Sequence, residues 1–444
     1  MARGYTHVLG LDIGSSTIKA VELQRTGSGI EVLGRPVVVP TPPRSVEDGV
    51  IVDAAAVTSA VSDLIRAGGF HTKNTIASVG GTSSVVVRIT EVPKMSGKEL
   101  DEAIQWELDR QTPFPIEQTY YDYQPVDAPD ADPNAQNMEV LIAVAQEDMI
   151  NTHVSVMNSA KLLPQAIDVE PLAISRALVE VSGSAYSDQT VGIVHIGANA
   201  TLIMIVRRGL LGFVRTIPTA GNALTQAITQ NFMGDETLAE QVKKALGDVS
   251  ESVFPEESGY TAGGAGAREE AYPEDEADSV FEVSDMMGEV GFADEAIGAE
   301  AEATQLDSIL PSEAGLGRGP SAPAPAAVPM DPEAQQDLHA RQIVYEAIAT
   351  PLVDLAGEVQ ASLNFYRRQH RNEEIDRILL SGGSAVIPGL GDFIAAETGV
   401  TVELADPFAE LLTDEDRQPG AYLRDIGPTM VVAVGLALRD MVES

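Results

Sequence analysis

Apolar residues between positions 6 and 39 gather in three short runs, HVLGLDI, IKAVELQR and EVLGRPVVV, with Gly27-Ser28-Gly29 between the second and third. Runs of this length bounded by turn residues predict three strands. The period then changes. Val57, Val61, Leu64 and Ile65 recur at helical spacing behind Asp53, and Gly68-Gly69 follows. This predicts a helix capped by Asp53 and closed by glycine. NTIASVGG and SSVVVRITEVP return to strand patterning. Strands, a helix and further strands predict a mixed sheet with helical cover.

From Pro93 to about Lys161 the pattern predicts a small inserted unit of helix, strand, strand and helix. Ser96 and Glu99 have capping-box spacing ahead of a helix whose inner face carries Leu100, Ala103, Ile104 and Leu108. Trp106, the only tryptophan, lies off that stripe, and Pro113 and Pro115 end the helix. QTYYDYQPV and MEVLIAVA read as strands around the polar loop DAPDADPNAQN, and Glu147 to Ser159 reads as a helix.

A second half starts near Gln189. TVGIVHIGANATLIMIVRRGLLGFVRTIP predicts three strands and AGNALTQAITQNF a helix, repeating the order of the N-terminal region. VLGLDIGSSTIKAVEL and TVGIVHIGANATLIMIV align as two copies of one hairpin, which implies two homologous lobes. A long helix from Asp331 to about His370 follows later. Then come the strand IDRILLSGG, a helix near 389 to 397, the strand VTVEL, and a last helix from Pro428 to Met441.

Charge changes this picture in one place. The 444 residues carry a formal net charge of -39, and about twenty Asp and Glu lie in residues 248–332 against only Arg268 and Arg318. That stretch is rich in Pro and Gly and buries too little to offset chain entropy, so it is expected to be a disordered acidic linker. Its apolar cluster SVFEVSDMMGEVGF leaves a short binding motif open. With no basic stripe, nucleic-acid binding is not expected. The absence of cysteine excludes disulfides, thiolate metal sites and thiol catalysis. No apolar run reaches the ~20 residues of a spanning helix, so membrane association is expected only through partners.

Four small-residue turns each follow a strand. Gly14, Ser15, Ser16 and Thr17 form the first tip, with Asp12 before it and Lys19 after. Consecutive backbone N–H groups make an anion nest, a lysine suits phosphate, and a carboxylate can hold hydrated Mg²⁺ beside it. Alone, this is equally an ordinary hairpin turn with an exposed lysine. The others are Gly197, Ala198 and Asn199; Gly221 and Asn222 at a helix start; and Gly382, Gly383 and Ser384 after a strand. Four such turns in two lobes point to one nucleotide held between them.

These motifs, in this order, resemble the actin-like ATPase superfamily. GLDIGSSTIKAVEL, EAIQWELDRQTPFPIEQTYYDY, IDVEPLAISRAL, LLSGGSAVIPGL and VELADPF are more narrowly similar to the PilM family of type IV pilus assembly proteins. The resemblance implies an α/β, two-lobed actin-like (ribonuclease H-like) fold with an FtsA-type inserted subdomain. The first lobe would comprise 1–92, completed by 162–188 and 426–444. The insert would be 93–161, and the second lobe 189–247 and 333–425. It implies ATP and Mg²⁺ as ligands. Asp12 would be the metal ligand and Glu170 would join it in catalysis by positioning water. The four turns would hold the nucleotide, with Lys19 in the first phosphate loop. It also implies a cytoplasmic scaffold, peripheral to the inner membrane. Its partner would be the cytoplasmic N-terminal tail of a PilN-like protein, lying in a groove walled partly by the insert.

One position departs from the superfamily. Its second phosphate loop usually begins with Asp, and here the residue is His195. Imidazole is a poor Mg²⁺ ligand, so weak or absent hydrolysis is expected. Two other readings compete. An FtsA-like division filament would carry an amphipathic helix after a linker, whereas LALRDMVES directly follows the last expected core helix. A small-molecule kinase would use a base such as Asp168 or Glu170, but no sugar-binding cluster of Asn, Asp and Glu accompanies them.

Overall fold

The computed structural model describes residues 5–126, 136–181, 184–232, 236–250, 253, 332–370 and 373–442. The first lobe opens with an antiparallel meander of β1 (His7–Ile13), β2 (Thr17–Thr26) and β3 (Gly29–Pro40), followed by the short hairpin β4 (Val46–Glu47) and β5 (Val50–Ile51). Helix α1 (Ala54–Gly68) starts where Asp53 accepts the Ala55 and Ala56 N–H groups and stops at Gly69 in the left-handed region. The cap and the terminating glycine thus lie where the sequence places them. Strand β6 (Asn74–Val79) then pairs parallel with β1.

The next elements are β7 (Val85–Pro93), α2 (Lys98–Gln111), a 3₁₀ turn (Ile116–Gln118), β8 (Thr119–Val126) and β9 (Asn137–Gln146). The three strands form their own antiparallel sheet, β7-β9-β8. Val92, Leu100, Ile104, Leu108, Val140, Ile142 and Val144 close a separate core between that sheet and α2. The insert therefore spans 85–146 and not 93–161. The expected helix–strand–strand–helix unit is corrected to strand–helix–strand–strand. Pairing of β7 with β9 is a contact at long sequence separation, which local patterning does not show. The intervening residues 127–135 lie outside the described residues.

Helix α3 (Glu147–Ser159), assigned to the insert from sequence, returns to the first lobe and buries Val156 and Met157 among Leu9, Leu11, Val57 and Leu64. The capping-box expectation for α2 also fails. Its N-cap is Gly97 at φ 58, with no side-chain cap. We expect Ser96→Ala to leave stability within ~0.5 kcal/mol of wild type and Asp53→Ala to cost about 1 kcal/mol, read by urea unfolding.

The first lobe continues with β10 (Leu163–Val169) and α4 (Glu170–Ser175), which widens into a π-turn at Arg176–Glu180. The second lobe contains β11 (Thr190–Ile196), β12 (Thr201–Arg207), β13 (Leu210–Ile217), α5 (Gly221–Phe232), α6 (Glu236–Leu246), the 38-residue α7 (Pro332–Gln369), β14 (Arg377–Ser381), α8 (Leu390–Thr398) and β15 (Val402–Leu404). The sheets run β10-β6-β1-β2-β3 and β13-β12-β11-β14-β15. Each has an antiparallel meander followed by two parallel strands, so the sequence repeat is also a repeat of topology.

The acidic stretch begins later than position 248. Val249 and Val253 are buried in the second-lobe core, and the Val249 N–H donates to the Pro388 carbonyl at 2.9 Å. The rest of the expected linker, 254–331, lies outside the described residues, as does Asp331, expected to cap α7.

The chain also re-enters the first lobe before 426. The Leu412 N–H donates to the Ile30 carbonyl at 2.8 Å, and the Gln418 amide donates to the Val32 carbonyl at 3.0 Å. Helix α9 (Gly420–Ala437) then carries Pro428 in its interior, where the sequence places a helix start. Burial of Leu423 and Gly427 ahead of the proline holds the extra turns, and the Pro428 carbonyl accepts the Gly382 N–H at 2.7 Å. Helix α9 lies so close to β1 that a Cβ on Gly10 would fall 1.9 Å from the Ala433 carbonyl oxygen. Together with α4 it occupies a core that includes Val8 and Val21 of one sheet and Ile193 and Met204 of the other. Among the described residues, no helix is long and apolar enough to cross a membrane.

Candidate functional site

The two central hairpins aim their tips at one cleft. The Gly14 N–H donates to the Thr17 carbonyl at 3.1 Å, and the Gly197 N–H to the Ala200 carbonyl at 3.0 Å, so the tips share one turn geometry. They meet where the Asn199 amide donates to Ser15 Oγ at 3.0 Å. The cleft encloses about 390 Å³ and is lined by Asp12, Gly14, Ser15, Ser16, Thr17, Lys19, Glu170, Gly197, Ala198, Asn199, Gly221, Asn222, Gly382, Gly383 and Ser384. Every residue expected to hold the nucleotide or its metal is therefore on it.

Antiparallel pairing sets Asp12 opposite Lys19, and Lys19 Nζ donates to Asp12 Oδ2 at 2.9 Å, with both side chains nearly buried. The same register in the second copy sets His195 opposite Leu202. A carboxylate–ammonium pair is thus matched by an imidazole and a leucine. The His195 ring lies on Ser381 of β14, with Nδ1 3.0 Å from Oγ. Burial lowers the His195 pKa to about 4; the Lys19 charge adds to this and Asp12 opposes it. The imidazole is accordingly neutral near pH 7 and does not repel a cation.

Glu170 begins α4 and lines the same cleft as Asp12. Its carboxyl is so close to Gly80 that a Cβ there would fall 2.3 Å from it. Burial raises its pKa to about 7, helped by the Asp12 charge and opposed by Lys19. At neutral pH the group is divided between acid and base forms, a useful state for holding or accepting a proton from water. Asp168 is two residues earlier but off the cleft. Arg176 holds it at 3.1 Å and Arg439 at 3.8 Å, so it is a structural carboxylate rather than a free base.

The opposite wall was only partly legible. At Gly382 (φ +96) a Cβ would fall 2.2 Å from the Ile196 carbonyl oxygen, so only glycine fits. Helix α6 adds Glu240, Lys243 and Lys244, which sequence reasoning passed over. Lys243 is buried and donates to the Gly221 carbonyl at 3.0 Å and to Thr225 Oγ1 at 2.9 Å; its ammonium is 2.6 Å from Glu240 Oε2. Burial holds the Lys243 pKa below its ordinary value against the attraction of Glu240. Burial alone would raise Glu240, but the Lys243 charge and hydrogen bond bring it below its ordinary value. The signal available was the i, i+3, i+4 spacing of Glu240, Lys243 and Lys244, which also fits a solvated helix face. His153 and Asp48 also line the cleft. Burial lowers the pKa of His153, whose Nδ1 lies 2.9 Å from the Met149 carbonyl.

These residues fit a magnesium nucleotide better than a bare metal. Small residues at the tips leave room for phosphates, and Lys19 supplies charge. Among the described residues no group of three or more His, Asp or Glu forms a cation site. Mg²⁺ commonly takes one or two carboxylates and completes its shell with phosphate and water, and Asp12 can serve such a complex.

Two repeated sheets around paired hairpin tips define the class: an actin-like ATPase fold. The model of the family described as type IV pilus assembly protein PilM matches residues 10–254 and 343–441, and the chain belongs to that family. Among solved structures, a PilM–PilN type IV pilus biogenesis complex shares 24% identity at a TM-score of 0.69, covering 98% of this chain and 99% of that one. The ethanolamine utilization protein EutJ from Carboxydothermus hydrogenoformans shares 12% identity at a TM-score of 0.44, covering 97% and 89%.

Proposed function

We propose that this protein is a cytoplasmic, ATP-binding scaffold of the type IV pilus assembly platform. It docks the cytoplasmic N-terminal tail of a PilN-like inner-membrane protein and hydrolyses ATP weakly. The observation that carries the nucleotide reading is the convergence of four small-residue turns, Asp12 and Lys19 on one cleft. Family membership and the neighbouring PilM–PilN complex support the docking role.

In this reading the tips around Ser15–Thr17 and Ala198–Asn199 take the phosphates, with Lys19 as counter-charge. Gly382–Ser384, Gly221 and α6 enclose the nucleoside. Asp12 holds Mg²⁺, whose charge would neutralise phosphate oxygens when bound. Glu170 orients water and holds its proton. The neutral His195 leaves the metal side with one carboxylate where two would polarise the phosphate more strongly. We therefore expect His195→Asp to raise ATP turnover about tenfold, measured as phosphate release by the full chain. Brisk turnover by the wild type, abolished by Asp12→Ala, would show that hydrolysis is not weak. The docking role is tested by binding a synthetic PilN-like tail peptide to the full chain and to a variant lacking 85–146. Equal affinity for both would exclude the insert as a wall of the groove.

A further inference from the structure

The insert has a second concave face that the nucleotide cleft does not use. Helix α2 places Leu100, Ile104 and Leu108 inward, and Glu102, Gln105, Trp106 and Asp109, at i, i+3, i+4 and i+7, outward. That outer stripe, with Ile116, Glu117 and Tyr121, bounds a depression of about 540 Å³. Trp106 is 75% exposed and is the only tryptophan of the chain. The Gln105 amide donates to Tyr121 Oη at 3.3 Å, which fixes the two sides of the depression together. A large indole left in water forgoes its burial free energy unless something covers it.

The charge around the indole identifies its cover. Glu102, Asp109 and Glu117 line the depression, and no lysine or arginine does. The nearest cation on the helix, Arg110, is engaged by Glu107 at 3.0 Å. A ring face rimmed by carboxylates attracts a cation twice, through the quadrupole of the ring and through charge. Its own acidic stretch, residues 254–331, has the wrong sign, as do nucleic acid and an anionic membrane. A second copy at net charge -39 would set the same carboxylates against each other.

We propose that this face of α2 and β8 docks a basic segment of a partner polypeptide, seating an arginine or lysine over Trp106. The site is separate from the nucleotide cleft and does not depend on it. Tryptophan, tyrosine and an arginine partner are the side chains that most often dominate such contacts.

Trp106 reports on its own site. The probe is a capped peptide of two arginines spaced by leucine and serine, titrated into the full chain while tryptophan emission is followed. The control carries glutamates for the arginines. A saturable blue shift is expected with the arginine peptide alone. Its affinity should fall at least tenfold in the E102Q/D109N/E117Q variant and weaken as salt rises. Trp106→Phe, read by calorimetry, should bind several-fold more weakly while unfolding in urea like wild type. No saturable response, equal response to the glutamate peptide, or unchanged affinity in the charge-neutral variant would overturn the proposal. Displacement by a PilN-like tail peptide would merge the two grooves and overturn the claim of a separate site.

Discussion

Asp12→Ala should cost about 100-fold in the affinity for ATP with Mg²⁺ and change the affinity without Mg²⁺ less than about threefold, since 100-fold corresponds to roughly 2.7 kcal/mol. The asymmetry follows from what Asp12 touches. It stands opposite Lys19 in the β1–β2 register and accepts from its ammonium at 2.9 Å. In the proposed site, removing the carboxylate would take away the ligand that Asp12 offers the cation and free Lys19 for phosphate. Metal-dependent affinity falls while metal-free affinity is held or slightly raised. Lys19→Ala should weaken both. Calorimetry with and without Mg²⁺ reads the difference. An equal loss in both conditions would mean that Asp12 acts by supporting the hairpin and not by holding the cation.

Glu170→Gln should stabilise the nucleotide-free protein by about 3 kcal/mol at pH 8 and by close to nothing at pH 4. The carboxyl titrates at 4.5 when unfolded and at about 7 when folded, an interval worth about 3 kcal/mol. Here the folded state binds the proton more tightly. The favourable contribution is complete below pH 4.5, and it is lost as pH rises to 7. Above that pH the buried charge is a net cost, which glutamine removes. His195 runs the other way. Its folded pKa of about 4 lies below the model-peptide value of 6.5, so its contribution is lost as pH falls from 6.5 to 4. The two opposing dependences flatten the wild-type profile. The Glu170→Gln variant should expose the His195 slope, with stability rising between pH 4 and 6.5. Urea unfolding across pH reads both, and a pH-independent gain would contradict the assigned burial of Glu170.

Most of the fold was written locally. Asp53, Gly69 and the two glycine tips act through neighbouring residues, and the sequence pattern placed them correctly. What escaped it depends on distant partners. β7 belongs to the insert because it pairs with β9, α3 to the first lobe because Val156 and Met157 fill its core, and α9 starts at Gly420, ahead of Pro428, where Leu423 and Gly427 are buried. The site divides in the same way. Glycines and small hydroxyls at strand ends were legible as tight turns, and the fold brings them to one cleft. Lys243 was not, because a lysine on an amphipathic helix ordinarily faces water, and only the fold buries it against Gly221. The charge state of His195 was likewise undecided until burial fixed it as neutral.

The proposed function requires that the cleft between the lobes hold a magnesium nucleotide. Calorimetric titration of the full chain with ATP and Mg²⁺ tests it most directly, run beside Gly382→Ala, whose added Cβ has no room beside Ile196. One nucleotide per chain is expected, displaced by ADP, with binding at least 100-fold weaker in the variant while its unfolding remains cooperative. Absence of binding to the wild type, or equal binding by the variant, would contradict it.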